Sequence, residues 1–294
     1  MIGDERAWAR AMPALFVLIW STGFVVARYG MPHAPPLTFL AWRYALSIAC
    51  FVLWAALVRA PWPRGRAQWR HLAVGGLLLH AGYLGGVWAA VKAGIGAGTV
   101  SLIVGLQPML TAIWVSTTAG PGPRVRAPQW LGLLLGFAGL LLVVWPKLGA
   151  GELTALNLAL ALGALASITV GTLYQKHFVE PGDVRTANCV QLAAALAVTL
   201  PLALLETEPM RLHPQLLGAM AWSVLVLTLG GSSLLLMMIQ RGAATRVTSL
   251  FYLVPPCTAL LAAALFGEAL TSTMLAGLAL APLGVWLVVR APSR

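Results

Sequence analysis

The chain has 294 residues, of which 60% are hydrophobic and only 9% are charged. Soluble domains carry about a quarter charged residues, so this composition excludes a soluble globular protein and predicts one that lies in a membrane. The formal net charge of +11 would suit a nucleic-acid partner in a soluble chain, but here its distribution along the sequence points to membrane topology instead.

Apolar segments of about 20 residues, each enough for one bilayer crossing, follow one another along the whole sequence. Short, turn-rich segments separate them and leave no room for a soluble domain. We therefore predict an all-α polytopic membrane protein with ten transmembrane helices. The predicted spans are 8–28, 36–58, 70–91, 95–117, 128–146, 154–175, 186–205, 213–238, 243–265 and 271–289.

The distribution of Lys and Arg predicts the orientation of these spans. With a cytoplasmic amino terminus, 14 of the 19 basic residues fall on the inner side and 4 on the outer side. The positive-inside rule then places both termini in the cytoplasm. The first apolar run is too long for a signal-peptide core, so we expect it to remain as the first helix. Arg outnumbers Lys by 16 to 3, a bias typical of GC-rich bacterial genomes, which favours a bacterial cytoplasmic membrane.

Polar residues in the first two spans are candidates for the substrate pathway, because polar groups in a bilayer normally face protein or a water-filled cavity. Trp20 and Ser21 lie at mid-depth in the first span and are predicted to bind substrate. Arg43 lies within the second span, near its outer end. Its side chain can either snorkel to the outer interface or attract a substrate carboxylate, and the sequence leaves both open.

The third span contains the stretch LLLHAGYLGG, which places a histidine near the middle of the membrane. At about 100° per residue, His80, Tyr83 and Val87 share one helix face, while Gly82 and Gly86 lie on the other. We predict that His80 and Tyr83 line a substrate cavity and that the glycines permit close helix packing. A structural histidine bonded to a neighbouring helix is the alternative.

Further polar residues mark the fourth, sixth, eighth and ninth spans as cavity-lining helices, with Ser232 and Ser233 in the eighth. The predicted substrate-binding residues on these helices are Ser101, Gln107, Tyr174, Thr248 and Tyr252. The fifth and tenth spans are almost entirely apolar, so we expect them at the periphery of the protein.

Two prolines interrupt the fourth and ninth spans. Pro108 and Pro255 each remove a helical hydrogen bond and free the carbonyl four residues earlier. Because they occupy equivalent places in the two halves of the chain, we predict that both act as hinges. An ordinary kink held by packing is the alternative for each.

An internal repeat relates the two halves. AGTVSLIVGLQPMLTA (97–112) aligns with ATRVTSLFYLVPPCTA (244–259) at an offset of 147 residues, with six of sixteen positions identical. Since each copy has five predicted helices, the second copy must enter the membrane from the opposite side. We predict two inverted five-helix repeats, 1–147 and 148–294, that form one membrane domain and rock about a site near the bilayer midplane.

The acidic residues and cysteines limit the chemistry. All eight Asp and Glu lie in loops or at span ends, so tight coupling to sodium or protons is not expected. His80 is the only midplane group that titrates near neutral pH, which leaves a weak proton linkage open beside facilitated diffusion. The three cysteines all lie in apolar spans, so we expect no disulfide, no metal site and no cofactor.

Ten helices in two halves, the prolines of the fourth and ninth helices, and GEALT (267–271) after the ninth helix resemble the drug/metabolite transporter superfamily in its EamA-like branch. The resemblance covers nearly the whole chain. Within this branch the sequence is similar to bacterial exporters of aromatic and other neutral amino acids. It departs from the family pattern at TTAGPGP (117–123), where the family often repeats its Gly-Glu signature, so Glu268 has no counterpart in the first half.

The sequence thus predicts a cytoplasmic-membrane carrier that exports small amino acids or related metabolites by alternating access. Its partners would be this small-molecule substrate and membrane lipid, without nucleic acid, and the protein would be a monomer or a weak homodimer. A lipid-linked metabolite flippase of the same architecture is one alternative, which a laterally open groove with a basic rim would favour. A polytopic membrane enzyme is another, but no HExxH motif, no acidic pair within a span and no nucleophile–base set supports it.

Overall fold

A computed structural model describes residues 2–95, 97–118, 125–145, 154–241, 244–266 and 270–290. Throughout these ranges the chain is helical apart from short connections. Glu268 and most of the GEALT stretch lie outside the described residues. We number the helices of the described ranges α1 to α10, with bounds α1 Ile2–Gly30, α2 Pro36–Leu57, α3 Arg66–Lys92, α4 Ala97–Val104 and Gln107–Thr118, α5 Ala127–Val144, α6 Ala155–Phe178, α7 Val184–Ala203, α8 Pro214–Arg241, α9 Ala244–Ser249 and Val254–Phe266, and α10 Ser272–Arg290.

Six stretches of these helices are long and apolar enough to cross a membrane: α2, α3, α6, α7, α8 and most of α9. Shorter apolar helices are present in α1, α5 and α10. The prediction of a polytopic all-helical membrane protein is therefore confirmed. The exact number of ten crossings stays a prediction, because α4 consists of two short pieces and three other apolar stretches are shorter than 18 residues.

Local sequence signals explain where several helices begin. At the start of α6, the Thr154 hydroxyl accepts a hydrogen bond from the backbone N–H of Asn157, and the Asn157 side chain accepts one from Thr154 in return. At the start of α7, the Asp183 carboxylate accepts a hydrogen bond from the backbone of Arg185. These contacts satisfy N–H groups that a helix cannot pair internally.

α3 and α8 each contain a π-helical segment at their centre, Leu77–Leu84 in α3 and Ser223–Ser232 in α8. The offset of 147 residues that aligns the two halves carries the first segment onto residues 224–231, inside the second. π-Helical turns are rare and often occur at functional sites. The two π-helical segments thus lie at equivalent positions in the two halves. This structural match supports the internal repeat independently of the identical residues.

α4 and α9 are interrupted just before their prolines. A turn at Gly105 and Leu106 separates the two pieces of α4 ahead of Pro108, and a 3₁₀ turn over Leu250–Leu253 precedes Pro255 in α9. The offset of 147 residues that aligns the two halves also aligns these two interruptions. Both prolines therefore break helical geometry, as the loss of an N–H predicts, while their role as hinges stays a prediction.

α5 and α10 pack against each other through glycines. A Cβ atom placed on Gly132 would lie 2.6 Å from the Gly284 carbonyl oxygen, and one on Gly139 would lie 2.5 Å from the backbone nitrogen of Ala281. Large apolar side chains on the opposite faces, such as Leu131 and Trp286, are exposed. Small residues at such an interface let two membrane helices approach closely.

Candidate functional site

A cavity lies between α1, α2, α3, α6, α7 and α8, and thus between helices of both halves of the chain. Its wall is mainly apolar and aromatic. The polar and amphipathic side chains that line it are Trp20, Arg43, His80, Tyr83, Gln175, Asn188, Gln191 and Ser232. A cavity with a few polar groups on an apolar wall is typical of a small-molecule site.

α3 presents one face to this cavity and the other to a neighbouring helix. His80, Tyr83 and Val87 line the cavity. On the other face, Gly82 lies against the Ser167 side chain of α6, and a Cβ on Gly86 would meet the α6 backbone at 3.0 Å. The structure thus places the two residue sets where the periodicity predicts them.

His80 is 5% exposed. Its backbone carbonyl accepts a hydrogen bond of 2.8 Å from the Tyr44 hydroxyl, which ties α2 to the π-helical segment. Among the described residues, its ring Nδ1 has no hydrogen-bond partner, and the same holds for the Nε2 of Gln191 on α7. Buried polar atoms are normally paired, so two such atoms on one cavity wall indicate a place where a ligand or water binds.

Arg43 is also 5% exposed and therefore does not snorkel to the interface. Its Nε donates a hydrogen bond of 2.9 Å to the Thr228 hydroxyl on α8, and its side chain lines the cavity. No ion pair between Arg43 and a carboxylate occurs in the described ranges. Of the two positions that the sequence left open, the structure adopts the inward one.

Trp20 and Tyr83 also line a second, smaller cavity, next to Ser101 and Pro255. The Trp20 ring lies 5.6 Å from the Phe251 ring in an edge-on arrangement. The structure therefore brings Trp20, His80, Tyr83 and Ser101 together at two adjoining cavities.

Three of the other predicted binding residues contact neighbouring helices, and none of them lines either cavity. The Ser21 hydroxyl donates to the carbonyls of Val17 and Val254. The Gln107 amide donates to Thr172.

Tyr174, the third of these residues, forms a hydrogen bond of 2.7 Å with the His71 ring. Thr248 and Tyr252 are fully buried and also lie away from both cavity linings. Tyr252 packs against Gly136 of α5. A direct role in substrate binding for these residues stays a prediction that their positions do not support.

Gln175, Asn188 and Gln191 line the cavity, although no sequence pattern predicts them as site residues. They lie near the ends of α6 and α7, where polar residues are common and carry little signal. The spacing of Asn188 and Gln191 is the clue, because residues three apart share one helix face.

Contacts between the two halves cross the end of the helix bundle at which α2 begins. The Glu206 carboxylate accepts hydrogen bonds from the backbone N–H groups of Leu37 and Thr38 in the first turn of α2. Lys92 and Glu208 form a salt bridge with a distance of 2.6 Å. Anionic groups stabilise a helix N-terminus, so Glu206 acts as the cap of α2.

A second set of contacts crosses the opposite end. Gln68 and the backbone of Glu180 exchange two hydrogen bonds, and the Thr186 hydroxyl donates to the carbonyl of Pro61. Both sets are made of polar groups at or near the ends of helices.

Comparisons with known proteins agree with this architecture. The sequence profile of the EamA-like transporter family matches residues 8–145 and again 156–290. A Salmonella typhimurium protein named "Probable amino-acid metabolite efflux pump" is 24% identical over 94% of this chain and 92% of its own length. The Bacillus subtilis transporter YvbV is 27% identical over 94% and 89%, and the Escherichia coli inner membrane transporter YedA is 25% identical over 88% and 83%. One solved crystal structure shares the fold with a TM-score of 0.77 at 19% identity, covering 94% of this chain and 95% of that chain.

Proposed function

Because the chain belongs to the EamA-like transporter family, we propose that it is a carrier that exports small amino acids or related metabolites across the bacterial inner membrane by alternating access. It is a transporter and not an enzyme, and its relatives likewise carry the names of transporters and efflux pumps. The names of the Salmonella and Escherichia coli relatives support the substrate class and the membrane.

The cavity between the two halves is the observation that carries this proposal. Helices of the first half, α1 to α3, and of the second half, α6 to α8, surround it, so a relative movement of the halves would open it to one side at a time. Its mainly apolar and aromatic wall suits a small substrate with an apolar or aromatic side chain. These features favour a carrier of small solutes over a flippase of lipid-linked metabolites, which would need a groove open to the bilayer.

Uptake by proteoliposomes tests the proposal directly. Purified protein is reconstituted, and a panel of labelled amino acids and their derivatives is offered from outside, with protein-free liposomes as the control. We expect saturable uptake of at least one compound with an apolar side chain. If no compound of the panel enters faster than into the control liposomes, the proposal is wrong.

We predict that transport needs neither a proton nor a sodium gradient. Glu180, Asp183, Glu206 and Glu208 lie at or just beyond helix ends, and no carboxylate of the described residues lines the cavity. Ion coupling normally needs a carboxylate within the membrane. Exchange of substrate across sealed proteoliposomes should therefore persist after ionophores collapse both gradients. Loss of exchange under this treatment would contradict the prediction.

We further predict that the two halves are inverted and that the termini are cytoplasmic. Arg64 and Arg211 occupy equivalent positions at the offset of 147 residues, and both are exposed. In a background with Cys50, Cys189 and Cys257 replaced by alanine, a cysteine at position 211 should react with an impermeant maleimide added to whole cells. A cysteine at position 64 should react only after the membrane is opened. Reaction of both from outside, or of position 64 alone, would refute the topology.

A further inference from the structure

We infer that Arg43 is the carboxylate anchor of the cavity, so that the carrier takes small organic monoanions, such as N-acylated or deaminated amino acids, in preference to zwitterionic amino acids. This inference rests on the proposed function and narrows its substrate class. It depends on the position of one buried cation and on the charge balance of the wall around it.

The position of Arg43 fits an anchor for a bound anion. Its Nε donates a hydrogen bond to the Thr228 hydroxyl, which fixes the side chain. None of its other N–H groups bonds to a protein acceptor in the described ranges. Thr228 is itself fixed, because its hydroxyl donates to the carbonyl of Ser223 at 2.8 Å. A planar guanidinium held at one nitrogen still presents two others, which matches the two oxygens of a carboxylate.

The charge of the cavity selects for an anion. Arg43 is the one cationic side chain on the described wall, and no carboxylate lines it. Burying a charge without a partner costs desolvation free energy. A monoanion bound at Arg43 offsets this free energy for the guanidinium and for its own carboxylate. A zwitterion would bring its own ammonium group into the same wall and leave one positive charge uncompensated.

The remaining polar groups of the wall are neutral. The Oε1 of Gln175 and the Nε2 of Gln191 have no hydrogen-bond partner in the described part of the chain. Both side chains line the cavity and could bond to a neutral polar group of the substrate without adding charge. The rings of Tyr83 and Trp88 and the side chain of Leu84 leave an apolar surface for the rest of the substrate.

Ligand-induced thermal stabilisation of the purified, full-length protein tests the inference. The three probes are N-acetyl-L-phenylalanine, a monoanion; L-phenylalanine, a zwitterion; and N-acetyl-L-phenylalaninamide, which is neutral. We expect the monoanion to bind at least about tenfold more tightly than the other two, because only it forms a charge-assisted pair with Arg43. Equal or weaker binding of the monoanion would overturn the inference.

Variants separate the role of Arg43 from a general effect of charge. Arg43→Gln should abolish the preference for the monoanion, and Arg43→Lys should keep part of it, because it retains the charge but not the two-pronged geometry. Arg241→Gln removes an exposed cation at the end of α8 and should leave the preference unchanged. The unfolding temperature without ligand is measured for each variant. An unchanged preference in both Arg43 variants would also overturn the inference.

These outcomes are distinct from failure of the proposed function. If proteoliposomes take up zwitterionic and neutral compounds as fast as monoanions, the protein is a carrier but Arg43 is not its anchor. If monoanions stabilise the protein in an Arg43-dependent way and no compound crosses the membrane, the anchor is correct and the proposal of transport is wrong.

Discussion

Replacing His80 by alanine should lower the initial rate of substrate uptake by about tenfold and leave thermal stability close to that of the wild type. The side chain lines the cavity, with the Gln191 side chain of α7 within hydrogen-bonding reach and the Tyr44 ring of α2 at 6.0 Å. Its Nδ1 has no partner among the described residues, and the bond from Tyr44 uses the His80 backbone, which alanine keeps. Loss of one hydrogen bond to a substrate costs about 1.4 kcal/mol, which is a tenfold effect.

Substitution on the opposite face of the same helix should have the opposite effect. In Gly86→Leu, the added side chain would meet the Leu160 carbonyl and Ala164 of α6, where a Cβ already lies at 3.0 Å. Overpacking of this kind costs about 1–3 kcal/mol. Thermal unfolding and uptake are measured for both variants on purified protein. If His80→Ala unfolds the protein and Gly86→Leu changes neither property, the histidine is structural and the assignment of the two faces is wrong.

Replacing Gly284 by leucine is expected to separate α5 from α10 and to lower the unfolding temperature more than any surface substitution. A Cβ at position 284 would lie 2.5 Å from the Gly132 carbonyl oxygen and would also contact the backbone of Gly136. Backbone atoms cannot move aside as a flexible side chain can. We expect a loss of about 3 kcal/mol or more, at the upper end of the range for overpacking.

Gly163→Leu is the matched control for this variant. Gly163 lies within α6, and a Cβ there would meet nothing within 4 Å. The same substitution should therefore be neutral or slightly stabilising, because glycine costs a helix about 0.5–1 kcal/mol relative to alanine. Equal unfolding temperatures for the two variants would show that the contact between α5 and α10 does not depend on its glycines.

Helical periodicity was sufficient to predict the two faces of α3, because a side chain's direction follows from its position along a helix. The stretch from His80 to Val87 is too short for the π-helical turns of Leu77–Leu84 to move these residues off one face. It was not sufficient for Arg43, whose long side chain can reach either the interface or the cavity from the same Cα. The inward position depends on Thr228 of α8. Such a long-range partner is not visible in a local pattern.

Polarity within a span was a weaker guide than periodicity. Ser21, Gln107 and Tyr174 are polar and lie within predicted spans, but their hydrogen bonds to Val254, Thr172 and His71 connect one helix to another. A polar side chain in a membrane helix must be satisfied, and a neighbouring helix can do so as well as a substrate. Which of these occurs depends on tertiary packing, which one sequence does not specify.

The π-helical segments extend the part of the cavity wall that a single helix can supply. Successive residues of a regular α-helix turn by about 100°, so Leu227 and Leu236 would face opposite directions. Both nevertheless line the cavity. The wider turns of Ser223–Ser232 accommodate roughly one additional residue, so the residues that follow them are rotated back toward the cavity. In α3 the same rotation keeps Val91 in line with Leu79. Each half thus contributes to the cavity wall one continuous helix that lines it over more than two turns.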